Sequence, residues 1–346
     1  MIKDRVGPVP FLAMPSAAAP PAVDRLFRRH KLGPVRSVER LHGGRLNTVL
    51  RVDGEWVLRY REAALSTGSL LREAAVLETL AGRLPLPEPL AHGMDDLLGE
   101  YLIERWVPGQ SLLRAWLANP DVATREWWLV QWISALKAIH EVRYPRPGEL
   151  VKGTLQEHAS WRGYIESRIR KRLDLLMRVP GLDRGLILAV ERYLRQTSGV
   201  LEDGPFCLIH RDLHFGNALV DGPHLSAVLD FELAEAGPPD YELDAIVRFL
   251  RRPAEFADAA GVPPAELARV TPMRFASVWV RLRKGYPELF AVRNLRERLC
   301  LYALDHDLSC LAQAYSGRWG ARGEAASGAA LDRIAEVLQG RYGPPA

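Results

Sequence analysis

Cysteine is scarce in this chain. There are three, Cys207, Cys300 and Cys310, unevenly spread and with no Cys-x-x-Cys pair among them. A disulfide framework and a zinc knuckle are therefore excluded as organising principles, and a reducing cytoplasmic setting fits. No apolar run approaches the roughly 20 residues needed to span a bilayer. No long Lys or Arg block is present either, so the formal charge of +4 and the pI of about 9.0 read as a solvated basic surface. A nucleic-acid footprint is not expected from such a surface, nor a membrane partner. No internal repeat is found.

What remains is a chain of 346 residues, 48% of them hydrophobic, able to bury one large core or two moderate ones. Residues 1–22 contain prolines at positions 8, 10, 15, 20 and 21, with Asp4 in the charged head, and read as a disordered leader rather than a signal peptide. A short amphipathic helix is predicted over Val23 to Lys31, stopped by Gly33-Pro34. Strands are predicted over Val35 to Leu41, Thr48 to Val52, Trp56 to Tyr60, Leu90 to His92 and Tyr101 to Trp106, with Asp53-Gly54 as a hairpin turn. Ser69 to Leu80 carries helical periodicity. After Pro108-Gly109 the pattern is mostly helical: Thr124 to His140, Ala159 to Arg178, Gly185 to Leu201, Leu295 to Tyr315 and Ala329 to Leu338. Short strands interrupt it at Phe206 to Ile209, Ala218 to Val220 and Leu225 to Leu229. A β-rich first part followed by a helical second part predicts an α+β chain of two lobes with a cleft between them.

The chemistry is concentrated in His210-Arg211-Asp212-Leu213-His214-Phe215-Gly216-Asn217 and, thirteen residues after Asn217, Asp230-Phe231-Glu232. One carboxylate to orient a hydroxyl, with an amide and a second carboxylate to hold Mg²⁺, is the part list for phosphoryl transfer from ATP. Asp212 would orient the acceptor hydroxyl and take its proton late. Asn217 and Asp230 offer the oxygen ligands a hard cation prefers. His210 would brace the loop. A rival reading takes His210, Asp212 and His214 as ligands of a hydrolytic metal, but no second His pair completes the set. Gly43-Gly44-x-x-Asn47, between two predicted strands, would let backbone amides approach phosphate oxygens.

These motifs, in this order, resemble the aminoglycoside phosphotransferase-like kinases, whose loop commonly reads His-x-Asp-Leu-His-x-Gly-Asn. The resemblance covers most of Leu41 to Phe249. It implies the protein-kinase-like fold: a small β-rich lobe with a five-stranded sheet and one helix, here residues 23–106, and a larger helical lobe, residues 107–346. It implies transfer of the γ-phosphate of ATP, or of GTP, to a hydroxyl of a small molecule, with Mg²⁺. Arg59 in Val57-Leu58-Arg59 stands where protein kinases carry Lys, with Arg61 as the competing cation; its partner would be Glu73. Ile103-Glu104-Arg105-Trp106 resembles the interlobe hinge, with adenine meeting the carbonyl of Glu104 and the amide of Trp106. Asp244 would brace the catalytic segment. Trp127, Trp128 and Trp132 read as core rather than a sugar platform. The acceptor could be an aminoglycoside, another antibiotic, a sugar, homoserine or an amino alcohol. A polycation would want acidic walls, for which Glu232, Glu235, Asp240, Asp305 and Asp307 are the candidates. A non-catalytic nucleotide-binding module is the second functional class.

Overall fold

The structure is a computed structural model describing residues 20–41, 47–61, 69–315 and 321–344. The Gly43-Gly44 pair lies outside the described residues, as do residues 1–19, where the sequence predicts a leader. The first helix, α1 (Pro21–Arg29), starts two residues earlier than the sequence predicts, because Pro21 sits where a helix tolerates a missing N–H.

The small lobe is an antiparallel sheet of β1 (Val38–Arg40), β2 (Thr48–Val52), β3 (Trp56–Arg61), β4 (Pro89–Asp95) and β5 (Gly99–Arg105), in the order β1-β2-β3-β5-β4. Asp53 and Gly54 both take positive φ at the β2–β3 turn, which Asp tolerates and Gly adopts freely. Side chains alternate across β5. Tyr101 and Ile103 pack with Val23, Leu26 and Phe27 of α1, while Leu102 packs on the opposite face with α2 (Leu70–Leu80). The sheet therefore carries a helix on each face, one more than the resemblance implies. Ser69 caps α2 by accepting the Arg72 amide at 3.2 Å.

The chain enters the large lobe through Gly109. Its φ is 129°, and a Cβ there would lie 2.6 Å from the Val220 carbonyl oxygen, so only glycine fits. Then follow β6 (Gln110–Ser111), α3 (Leu112–Ala118), α4 (Val122–His140), β7 (Arg143–Tyr144), β8 (Gly148–Val151), β9 (Thr154–Glu157), α5 (Trp161–Leu176) and α6 (Arg184–Thr197). Trp128 and Trp132 are core, whereas Trp127 is half exposed. Next come β10 (Phe206–Ile209), β11 (Ala218–Asp221), β12 (His224–Val228) and β13 (Glu235–Gly237). They belong to two small sheets, β7-β10-β13-β8-β9 and β12-β11-β6. The helices α7 (Glu242–Arg251), α8 (Ala276–Gly285), α9 (Leu295–Tyr315) and α10 (Ala321–Leu338) complete the lobe. The β10–β11 and β12–β13 connections carry the two chemical motifs. Among the described residues no helix is long and apolar enough to cross a membrane.

Candidate active site

Strand β10 is buried at every position and ends at Ile209, just before His210. The Glu242 carboxylate then caps the turn, accepting the His210 amide at 2.7 Å and the Arg211 amide at 3.0 Å. Arg211 has φ of 72°, an uncommon conformation for a residue with a Cβ, held here by that double cap. The His210 ring accepts the Asp212 amide at Nδ1 (3.3 Å) and so donates from Nε2 to the Leu229 carbonyl (2.8 Å). Both ring nitrogens are consumed in bracing the loop, which leaves His210 no lone pair for a metal. Among the described residues no group of three or more His, Cys, Asp or Glu side chains is arranged to hold an ion. The metallohydrolase alternative therefore has no centre to rest on there.

Asp212 projects from this braced turn. Asn217 Nδ2 donates to the Asp212 carbonyl at 2.9 Å and approaches its carboxylate at 3.4 Å. His214 Nδ1 accepts the Gly216 amide at 2.9 Å, so its protonated Nε2 faces the Asp212 carboxylate at 3.6 Å. Arg248 Nη2 lies 3.7 Å from the other carboxylate oxygen. Burial alone would push the Asp212 carboxyl up. The electrostatic pull and hydrogen bond of the His214 N–H, with the Arg248 charge behind them, win and hold it at about 2.

The second motif is laced directly to the first. The Leu229 amide donates to the Asn217 carbonyl at 2.9 Å, and Asp230 follows with φ of 69°, which turns its side chain out of the strand. Arg59 on β3 approaches Asp230 at 3.9 Å, pairs with Glu73 on α2, and lies 3.4 Å from Glu104. The other Glu73 oxygen accepts the Phe231 amide at 3.1 Å. Arg61 is turned elsewhere, to Glu100 at 2.8 Å and Glu232 at 3.4 Å. Glu232 also accepts from Asn47 Nδ2 at 3.1 Å. Burial, reinforced by the Asp230 charge and opposed by Arg61 and Arg59, pushes the Glu232 carboxyl up to about 7.

A divalent cation fits this donor set. Asp230 Oδ1 is buried without a hydrogen-bond partner, and Asn217 spends its amide nitrogen on Asp212, which leaves its oxygen to give.

The hinge departs from the sequence expectation. The Trp106 amide donates to the Glu55 carbonyl at 2.8 Å, so it is committed within the sheet and unavailable to a base. Glu104 pairs with Val57 on the same side, by antiparallel alternation, and its side chain faces Arg59. The Arg105 amide points the other way, to Glu88, at 2.9 Å. By the same alternation the Arg105 carbonyl and the Val107 amide point to the Glu88 side, and the Val107 amide makes no backbone hydrogen bond among the described residues.

Sequence reasoning missed Glu242 and Arg248 and gave His214 only a metal-ligand role. Glu242 caps the turn before Asp212, while Asp244 holds Arg248 at 3.0 Å. Arg248 brings a positive charge beside Asp212, and His214 brings a ring N–H. The spacing of Asp244 and Arg248, four apart on a helix, signals their pairing but not their proximity to Asp212.

A family model described as "phosphotransferase enzyme family" matches residues 37–270. No curated protein matches the chain. Solved structures share its fold. A thermostable mutant of aminoglycoside phosphotransferase APH(4)-Ia, in ternary complex with ADP and hygromycin B, aligns with a TM-score of 0.66 at 21% identity, over 93% of this chain and 99% of that one. Aminoglycoside 2'-phosphotransferase-IIIa, as its GDP complex, aligns with a TM-score of 0.58 at 18% identity, over 92% and 97%. A putative aminoglycoside phosphotransferase from Ralstonia eutropha aligns with a TM-score of 0.61 at 18% identity, over 92% and 96%.

Proposed function

The chain belongs to the phosphotransferase enzyme family, and from that premise we propose that it moves the γ-phosphate of ATP, with GTP as the alternative, to a hydroxyl of a small molecule, using Mg²⁺. One observation carries the reading. The Leu229–Asn217 hydrogen bond sets Asp230 beside the loop that holds Asp212, and Arg59 and Glu73 close the same space from the small lobe.

Asp212, kept ionised, accepts the hydrogen bond of the acceptor hydroxyl and takes its proton as the transfer completes. Arg59 forks onto phosphate oxygens, its direction fixed by Glu73. Asn217 and Asp230 supply the oxygens that would hold Mg²⁺, whose charge, when bound, neutralises the phosphates. Asn47, three residues after the Gly43-Gly44 pair proposed for the phosphates, donates its side-chain amide to Glu232. The base meets the Arg105 carbonyl and the Val107 amide, in place of the Glu104 and Trp106 groups.

The acceptor is a hydroxylated metabolite rather than a polycation. Each acid that could have walled a polycation pocket is buried against arginine: Glu232 with Arg61, Glu235 with Arg168 and Arg211, Asp240 with Arg298, Asp305 with Arg168, and Asp307 with Arg333. Their charge is spent inside the protein. The presence of Asp212, Asn217 and Asp230 together favours catalysis over a nucleotide-binding module that transfers nothing.

The test is nucleotide turnover against a panel of hydroxylated metabolites and aminoglycosides, with phosphorus NMR of the product. A phosphomonoester on a metabolite is expected. Phosphorylation of an aminoglycoside alone would overturn the acceptor class. Tight Mg·ATP binding with no transfer to any acceptor or to water would favour the non-catalytic module.

A further inference from the structure

Tyr342 follows α10, well beyond residue 270, where the family match ends. It is among the largest fully buried side chains, at 1% exposure. Three contacts hold its segment in place. Arg296 Nε donates to the Tyr342 carbonyl at 3.3 Å, Arg251 donates to the Gly343 carbonyl at 3.3 Å, and the Arg251 guanidinium lies over the Tyr342 ring at 5.4 Å.

The Tyr342 hydroxyl donates to Asp244 Oδ1 at 3.3 Å. The other Asp244 oxygen accepts Arg248 Nε at 3.0 Å. Arg248 is 5% exposed, and its Nη2 is buried with no hydrogen-bond partner, aimed at Asp212 Oδ1 from 3.7 Å. The remaining Asp212 oxygen, Oδ2, already faces Asn217 and His214. Orientation of Oδ1 therefore falls to Arg248. Contacts of this kind are often long before substrate arrives and tighten as it binds.

We propose that Tyr342 is a positioning residue for phosphoryl transfer, acting through Asp244 and Arg248 on the Asp212 carboxylate. The inference rests on the kinase reading above. It makes the C-terminal segment part of the catalytic apparatus. A phenol fixes Asp244, Asp244 fixes the plane of the Arg248 guanidinium, and that plane decides where the Asp212 oxygen points. Small errors in that direction cost rate rather than binding, because the nucleotide does not touch the relay.

The experiment uses the full chain and Mg·ATP, with water as the phosphate acceptor, reading kcat and the nucleotide KM for Tyr342→Phe, Asp244→Asn and their double variant. Tyr342→Phe removes one oxygen and keeps the packing. Its kcat should fall about fivefold, the rate equivalent of one hydrogen bond worth roughly 1 kcal/mol, while KM stays at the parent value. In the Asp244→Asn background, Tyr342→Phe should have no further effect on kcat, because the relay is already cut. Arg248→Lys should recover part of the rate lost in Arg248→Met, since charge survives without the fork. An unchanged kcat in Tyr342→Phe, or effects of Tyr342→Phe and Asp244→Asn that multiply, would overturn the proposal while leaving the kinase reading intact. A parent that transfers phosphate neither to water nor to any acceptor of the panel overturns both.

Discussion

Glu73 joins two parts of the site that are far apart in sequence: one of its carboxylate oxygens meets Arg59, and the other accepts the Phe231 amide at 3.1 Å. A single buried side chain on α2 thus fixes the small-lobe cation relative to the segment bearing Asp230. The Glu232 carbonyl accepts the Ser69 amide at 3.1 Å, so the capped start of α2 is tied to the same segment. The cleft is held by α2 as a unit, and its chemistry can be interrogated one wall at a time.

Asp212→Asn keeps the shape of the side chain and its place in the loop but removes the proton acceptor. Turnover should fall by about 10²- to 10⁴-fold, with Mg·ATP affinity near the parent value. Calorimetric titration beside steady-state kinetics separates the two, and near-normal kcat would strip Asp212 of its role.

Loss of the Asp230 carboxylate leaves the phosphates to carry the metal with Asn217 alone. Asp230→Ala should weaken nucleotide binding when Mg²⁺ is present and alter it little when Mg²⁺ is chelated, because the side chain acts through the ion. Equal Mg²⁺ dependence in parent and variant would show the metal assignment to be wrong.

Arg59 and Arg61 should separate cleanly. Arg59→Ala should raise the nucleotide KM or cut kcat sharply, and Arg59→Lys should retain part of the activity. Arg61→Ala leaves Glu100 and Glu232 short of a buried cation, so its main effect should be on thermal stability. A kinetic defect larger in Arg61→Ala than in Arg59→Ala would transfer the phosphate contact to Arg61.

Asp305 is fully buried, and its carboxylate meets Arg168, Arg172 and Arg211. Burial would raise its pKa, but the three guanidinium charges hold it well below the ordinary carboxylate range. A depressed carboxyl stabilises the fold fully above its unfolded value of about 4 and loses that contribution as pH falls below it. Asp305→Asn should therefore cost about 3–5 kcal/mol at neutral pH. The gap between variant and parent should shrink in acid. Denaturant unfolding at pH 7 and at pH 3 measures both, and a gap that widens in acid would contradict the assignment.

The sequence by itself determined whatever depends on neighbours along the chain. The strands of the small lobe, the Asp53-Gly54 turn, the capped helix beginning after Ser69 and the two chemical loops are set by period, turn residues and spacing, and those are local properties. The pairing of Asp212 with Asn217 was legible because the two lie on one short turn, close enough for the Asn217 amide to reach the Asp212 carbonyl. Tertiary structure alone decided which polar groups were already taken. The Trp106 amide looked free until its strand found Glu55, and nothing in the spacing announced that Glu242 would cap the His210 and Arg211 amides. The acids of the large lobe looked like a polycation pocket until arginines from other helices closed on them. The relay from Tyr342 to Asp212 joins residues 130 positions apart. No periodicity records such a contact, because a buried donor or acceptor finds its partner through packing, and packing is settled only when the whole chain has folded.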